Sequence, residues 1–93
     1  MKRVTESGFE FEIDEAKLDD MRLVDMLADM MDENVPEIKK ALALPRLLNF
    51  ILGDEQKAAL YAKIAEENGG NVPIEKTAEA MREILNSSEA GNC

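Results

Sequence analysis

Residues 9–13 read Phe-Glu-Phe-Glu-Ile, a strict alternation of apolar and polar positions with the period of a half-buried strand. Ser7-Gly8 just before it is a turn dipeptide, and residues 2–6 are placed to supply a partner strand. A two-stranded hairpin alone is marginal in water, so Phe9, Phe11 and Ile13 require a helical layer to pack against.

Beyond the strand the period lengthens. Asp14 closes the strand and caps a short turn through Leu18, and Asp19-Asp20 supply the N-cap and the first-turn acid of a helix. That helix is predicted to run to about Asp32. At about 100° per residue, Arg22, Asp25, Asp29 and Asp32 fall in one narrow polar sector. Met21, Leu23, Val24, Met26, Leu27, Ala28, Met30 and Met31 cover the remainder, an arc wider than a simple surface helix needs.

Asn34-Val35-Pro36 interrupts the pattern, with Pro36 suited to the first position of a second helix. Val35, Ile38, Ala41 and Leu42 have helical spacing up to Pro45, which disfavours helical geometry at Leu44 and predicts a break there. A short helix over residues 45–52 follows, with Leu47, Leu48, Ile51 and Leu52 inward. Gly53 is a helix terminator and Asp54 an N-cap for a helix from Glu55 to about Asn68, ended by Gly69-Gly70. Pro73 opens a last helix whose stripe is Ile74, Thr77, Ala78, Met81, Ile84 and Leu85. The expected fold is mainly α: a small bundle of four to five helices with an N-terminal β-strand or hairpin packed on it. It forms one domain over residues 1–86, and residues 87–93 read as a disordered tail for want of apolar bulk.

Composition narrows the function. With 93 residues there is room for one modest core. Eleven Lys plus Arg against twenty Asp plus Glu leave a net charge of −9, which argues against nucleic acid or an anionic membrane as a partner. There is no His, and the single Cys is Cys93. Cys/His zinc sites, Ser-His-Asp or Cys-His catalysis and an internal disulfide are therefore excluded. The polar start of the chain predicts no signal peptide. The most apolar stretch, residues 41–52, is too short to cross a bilayer and carries Pro45 and Arg46.

Residues 14–33 hold eight acids against Lys17 and Arg22. They lack the Asp/Asn spacing and central Gly of a calcium loop, and Asp25, Asp29 and Asp32 share a helix face without a fourth ligand. A solvated face accounts for them; no metal, no cofactor and no enzymatic activity are expected. An acyl-carrier reading fails because Ser occurs only at 7, 87 and 88, never at the start of a predicted helix.

Four of the six Met (21, 26, 30 and 31) lie in one helix. Met suits both irregular cores and adaptable binding surfaces. Met21 and Met31 align with Val24 and Ala28 and read as core fillers. Leu23, Met26 and Met30 point to the other side of the arc and are the candidates for self-association or partner capture. Lys39, Lys40 and Arg46 form a small basic island, candidates for charge-complementary contact with the acidic helix of a second copy.

The order of these features resembles a known family. The strand leads into Asp19-Asp20-Met21-Arg22-Leu23-Val24-Asp25-Met26, followed by Ala43-Leu44-Pro45-Arg46-Leu47-Leu48-Asn49-Phe50-Ile51-Leu52-Gly53-Asp54-Glu55-Gln56, the Val72-Pro73-Ile74 turn and a last amphipathic helix. Over residues 9–85 the chain is similar to the small tail assembly chaperones of long-tailed bacteriophages and prophages, encoded near the tape-measure gene. It departs from that pattern at Met21, where an aromatic residue is common. The resemblance implies a non-enzymatic protein of the bacterial host cytoplasm, absent from the mature virion. Its partners would be the tape-measure protein, which it keeps soluble, and the tail-tube protein, which it helps recruit, with a homo-oligomer as a further expectation. Many members also have a longer form made by ribosomal frameshifting.

The rival expectation is a small acidic regulator that occupies a basic partner surface by mimicking nucleic-acid charge. The two separate by salt: charge mimicry weakens steeply with ionic strength, whereas capture of an apolar client does not.

Overall fold

A computed structural model gives the fold and describes residues 2–89, with side chains for residues 2–87. Strands β1 (Lys2–Val4) and β2 (Glu10–Glu12) form an antiparallel hairpin in the register Lys2–Glu12, Arg3–Phe11, Val4–Glu10. Buried Thr5 closes the turn: its backbone N–H donates to the Phe9 carbonyl and its Oγ1 accepts from the Phe9 N–H, both at 3.0 Å. The predicted alternation holds, with Phe9, Phe11 and Ile13 buried and Glu10 and Glu12 exposed. The Phe9 and Phe11 rings stack at 5.8 Å.

After β2, Asp14 caps a 3₁₀ turn over Glu15–Lys17, its carboxylate accepting from the Ala16 N–H. Helix α1 spans Met21–Met31, α2 spans Glu37–Glu67 and α3 spans Ile74–Leu85. There are thus three α-helices among the described residues rather than four to five. The difference lies at Gly53, which α2 spans as a kink, and at Pro45. The expected break is not there: α2 runs through Pro45, and Leu44 keeps helical geometry despite the following proline. Burial of Leu44, Leu47 and Leu48 on one face of that helix is the compensating gain.

Within α2 the backbone leaves helical geometry at Gly53 alone, with φ 79° and ψ 169°. This region of conformational space is open essentially only to glycine. The kink is pinned by Gln56. Its Nε2 donates to the Leu52 carbonyl at 2.8 Å and to the Glu12 carbonyl at 2.7 Å, and its Oε1 accepts from the Glu12 N–H at 2.6 Å.

Helix α2 is the centre of the structure, with α1, α3 and β2 all packed against it. Leu47, Leu48 and Ile51 are its most enclosed side chains, and Leu60, Ile64, Met81 and Ile84 extend the same core toward α3. At the far end a short strand β3 (Ser88–Glu89) pairs antiparallel with β1, giving the sheet order β2-β1-β3. The Arg3 guanidinium reinforces that closure by donating to the Ser87 carbonyl at 2.9 Å. Ser88 and Glu89 thus pair with the free edge of β1. Residues 90–93, including Cys93, lie outside the described residues.

Candidate partner-binding surface

The apolar arc of α1 divides into two stripes, and the structure assigns them the opposite way from the sequence reading. Leu23 is buried at 4% exposure, and Met26, Leu27 and Met30 are half-buried against the core. Met21 and Met31, expected as core fillers, are 69% and 80% exposed, and Val24 is exposed beside them. Both stripes have the i, i+3, i+7 spacing of a buried face, so periodicity alone does not choose between them. The stripe that faces α2 has four long side chains, whereas the other includes Val24 and Ala28. Burying the bulkier set removes more apolar area from water. Leu23, Met26 and Met30 are therefore contributors to the core, and the face of α1 open to a partner is Met21, Val24, Ala28 and Met31.

A second apolar surface lies on the first half of α2, where Ile38, Ala41 and Leu42 have helical spacing. Ile38 and Leu42 are 68% and 63% exposed. With Pro45, Tyr61, Val72 and Ile74 they line an open groove of about 360 Å³ between α2 and the start of α3, floored by buried Leu44 and Thr77. A smaller hollow of about 260 Å³ adjoins it, sharing Ala41, Leu44 and Ile74 and reaching Met30. The absence of a break at Pro45 explains this exposure. In an unbroken helix the phase is set by Leu47 and Leu48, and Ile38 and Leu42 lie roughly 140–180° from Leu47 at 100° per residue. Two helices separated at Pro45 would each have chosen their own phase.

Charge differs between the two surfaces. Of the basic island, Lys39 and Arg46 are exposed on the α2 side, and Lys40 is half-buried with its Nζ 3.9 Å from Glu37. Lys57 stands over the Tyr61 ring at the groove, 5.8 Å from its centroid. On α1, Asp25, Asp29 and Asp32 are exposed next to the Met21–Val24–Met31 stripe.

At the start of α1, Asp20 is the N-cap, accepting from the Arg22 N–H at 2.9 Å and gripping the Arg22 guanidinium at 2.7 and 3.0 Å. These hydrogen bonds hold the Asp20 carboxyl down to about 2 and raise Arg22. Arg22 also lies over the Phe50 ring at 5.2 Å, which ties the helix start to α2. Burial pushes the Tyr61 phenol above its ordinary range.

Among the described residues no cluster of three or more His, Cys, Asp or Glu side chains is arranged to hold a metal ion. A hollow of about 750 Å³ is an open trough beside the β2 edge, lined by Lys2, Glu10, Glu12 and the Gly53–Gln56 kink. No described helix is long and apolar enough to cross a membrane. No family model, curated protein or solved structure was found to match the chain.

Proposed function

We propose that this chain is a non-enzymatic tail assembly chaperone of a long-tailed phage or prophage, acting in the host cytoplasm. Its client is an apolar, helix-forming segment of the tape-measure protein, and tail-tube subunits are recruited to the complex so formed. The observation that carries the reading is the exposed apolar surface of a strongly acidic domain. Ile38, Leu42, Val72 and Ile74 surround a groove of about 360 Å³, and Met21, Val24 and Met31 form a second stripe. Exposed apolar patches of this kind mark surfaces that meet a partner. The groove has helix walls and a Tyr at its side, as suits a helix laid into a hydrophobic cleft. A net charge of −9 keeps such a domain soluble while these side chains stay uncovered.

The order of motifs over residues 9–85 supports the family assignment. Its most specific segment runs from Leu44-Pro45 to Leu52-Gly53-Asp54-Glu55-Gln56, with the Val72-Pro73 turn after it, and its last residues form the kink that seats the hairpin. Co-expression with a tape-measure protein fragment tests the proposal. The expected result is a soluble complex that survives high salt and is lost on Leu42→Asp. An authentic tape-measure fragment left insoluble by the wild-type chain overturns it.

A further inference from the structure

In an antiparallel ladder, successive residues turn their N–H and C=O alternately to the two sides of the strand. The Thr5 N–H donates to the Phe9 carbonyl and Arg3 stands opposite Phe11, so Phe9 and Phe11 face β1. Glu10 and Glu12 therefore carry their backbone groups on the outer edge of β2. The sheet order β2-β1-β3 leaves that edge without a neighbouring strand. Glu12 has both of its groups satisfied by the Gln56 amide, at 2.6 and 2.7 Å. Among the described residues nothing pairs with those of Glu10.

Beside this edge lies the trough of about 750 Å³. Its walls carry the exposed carboxylates of Glu10, Glu12, Asp54 and Glu55 against the single ammonium of Lys2, over buried Phe11 and Leu52. Among the described residues none of these four carboxylates has an ion-pair partner. The trough shares no residue with the groove between α2 and α3. Charge decides what can pair there. The same edge of a second copy would set glutamates against glutamates and be repelled, whereas a strand bearing lysine or arginine is attracted.

We propose that the outer edge of β2 receives an extended, basic segment of a partner protein as a fourth strand, and that Gln56 is the placeholder this segment displaces. The incoming backbone bonds to Glu10 and, once Gln56 swings aside, to Glu12. Basic residues opposite these two share their face of the sheet and lie within cross-strand reach of their carboxylates. The position between them turns toward the helix layer, where Asp54 and Glu55 form the far wall. Main-chain hydrogen bonds provide the pairing, and the acidic walls select the partner. The segment replaces two hydrogen bonds that Gln56 already makes, so its hold is weak and reversible. This inference is independent of the chaperone reading, which rests on the apolar groove.

Amide-resolved NMR of the intact chain tests it, with a short capped peptide of alternating Lys and Thr added at low salt. The Glu10 amide is expected to shift, and its hydrogen exchange to slow by roughly tenfold or more at saturation. The same peptide N-methylated at alternate positions keeps its charge but loses its donors, and it is expected to bind roughly tenfold more weakly or worse. Glu10→Lys with Glu55→Lys is expected to weaken binding to a similar degree, both positions being exposed. Gln56→Ala frees Glu12 and is expected to tighten binding by roughly twofold to tenfold. Gln56→Asn, one methylene shorter, takes its place if the Ala variant melts early. Leu42→Asp, in the separate groove, is expected to bind the peptide as the wild type does. A Glu10 amide that does not respond overturns the inference. So does equal binding of the N-methylated peptide, which would reduce the contact to charge alone. A freed Gln56 variant that binds no tighter, or that pairs with itself instead, shows Gln56 to be only a guard of the edge and overturns it as well.

Discussion

The Gln56 side-chain amide stands in for a strand against Glu12. It accepts from the Glu12 N–H at 2.6 Å and donates to the Glu12 carbonyl at 2.7 Å, so one side chain fills both hydrogen-bonding positions of that residue on the outer edge of β2. The same Nε2 donates to the Leu52 carbonyl just before the Gly53 kink. Replacing Gln56 by Leu removes all three contacts at an exposed site where water partly substitutes. A loss of about 1–2 kcal/mol is expected in denaturant unfolding, with faster hydrogen exchange at the Glu12 amide. Gln56→Glu keeps the shape but turns the donor into a second acceptor facing two carbonyl oxygens, and it is expected to lose at least as much at neutral pH. Unchanged stability in both variants would remove Gln56 from this account.

Gly53 is tested separately. A Cβ there meets no atom within 4 Å, so Gly53→Ala has no clash to relieve. Its cost comes from the backbone, held at φ 79° and ψ 169°. About 1–3 kcal/mol of destabilisation is expected, with the helix signal of the folded state retained. A neutral or stabilising Ala would mean that the kink is not maintained in solution.

The two stripes of α1 are expected to respond oppositely to a charge. Met30→Asp places a carboxylate against the core and lowers stability by about 2 kcal/mol or more, whereas Met31→Asp changes it by about 0.5 kcal/mol or less. Thermal melts of the two variants side by side are sufficient. Equal losses would return both residues to the core.

These cases show what was legible in the chain and what was not. Local signals were read correctly: the alternation of Phe9, Phe11 and Ile13, the Asp14 cap, the stops at Gly53 and at Gly69-Gly70, and the helix that follows Pro73. Each depends on a residue and its near neighbours. The failures are matters of phase and tertiary choice. Pro45 argued for a break that burial of Leu44, Leu47 and Leu48 overrides, and the continuous helix turns Ile38 and Leu42 outward. The α1 sequence offers two stripes of equal periodicity, and only packing against α2 selects Leu23 and Met30. The candidate surface was consequently legible as apolar and Met-containing, but on the wrong side of its helix. The part of the groove contributed by Tyr61, Val72 and Ile74 comes from distant segments and left no local trace.

The Asp20–Arg22 pair sets a pH dependence at the start of α1. The Asp20 carboxyl is lowered from 3.8 to about 2 by hydrogen bonds from Arg22. In that window the folded chain binds fewer protons than the unfolded one. The capping contribution is therefore complete above about pH 4 and is lost as the pH falls toward 2. Carboxyl chemical shifts recorded through an acid titration are expected to give Asp20 a midpoint of about 2. A midpoint near 3.8 would show that the cap is not formed.

Tyr61 is the only Tyr in the chain, which has no Trp, and it lines the groove. Its emission therefore reports directly on whether the groove is filled. The most direct test of the central claim is a titration of the chain with an apolar helical segment of a tape-measure protein, followed by Tyr61 emission in high salt with a segment lacking Tyr and Trp. The account predicts a saturable change for the wild type that Leu42→Asp abolishes without altering its melting temperature. A wild-type signal that stays flat through the titration, or an identical response from Leu42→Asp, would contradict it.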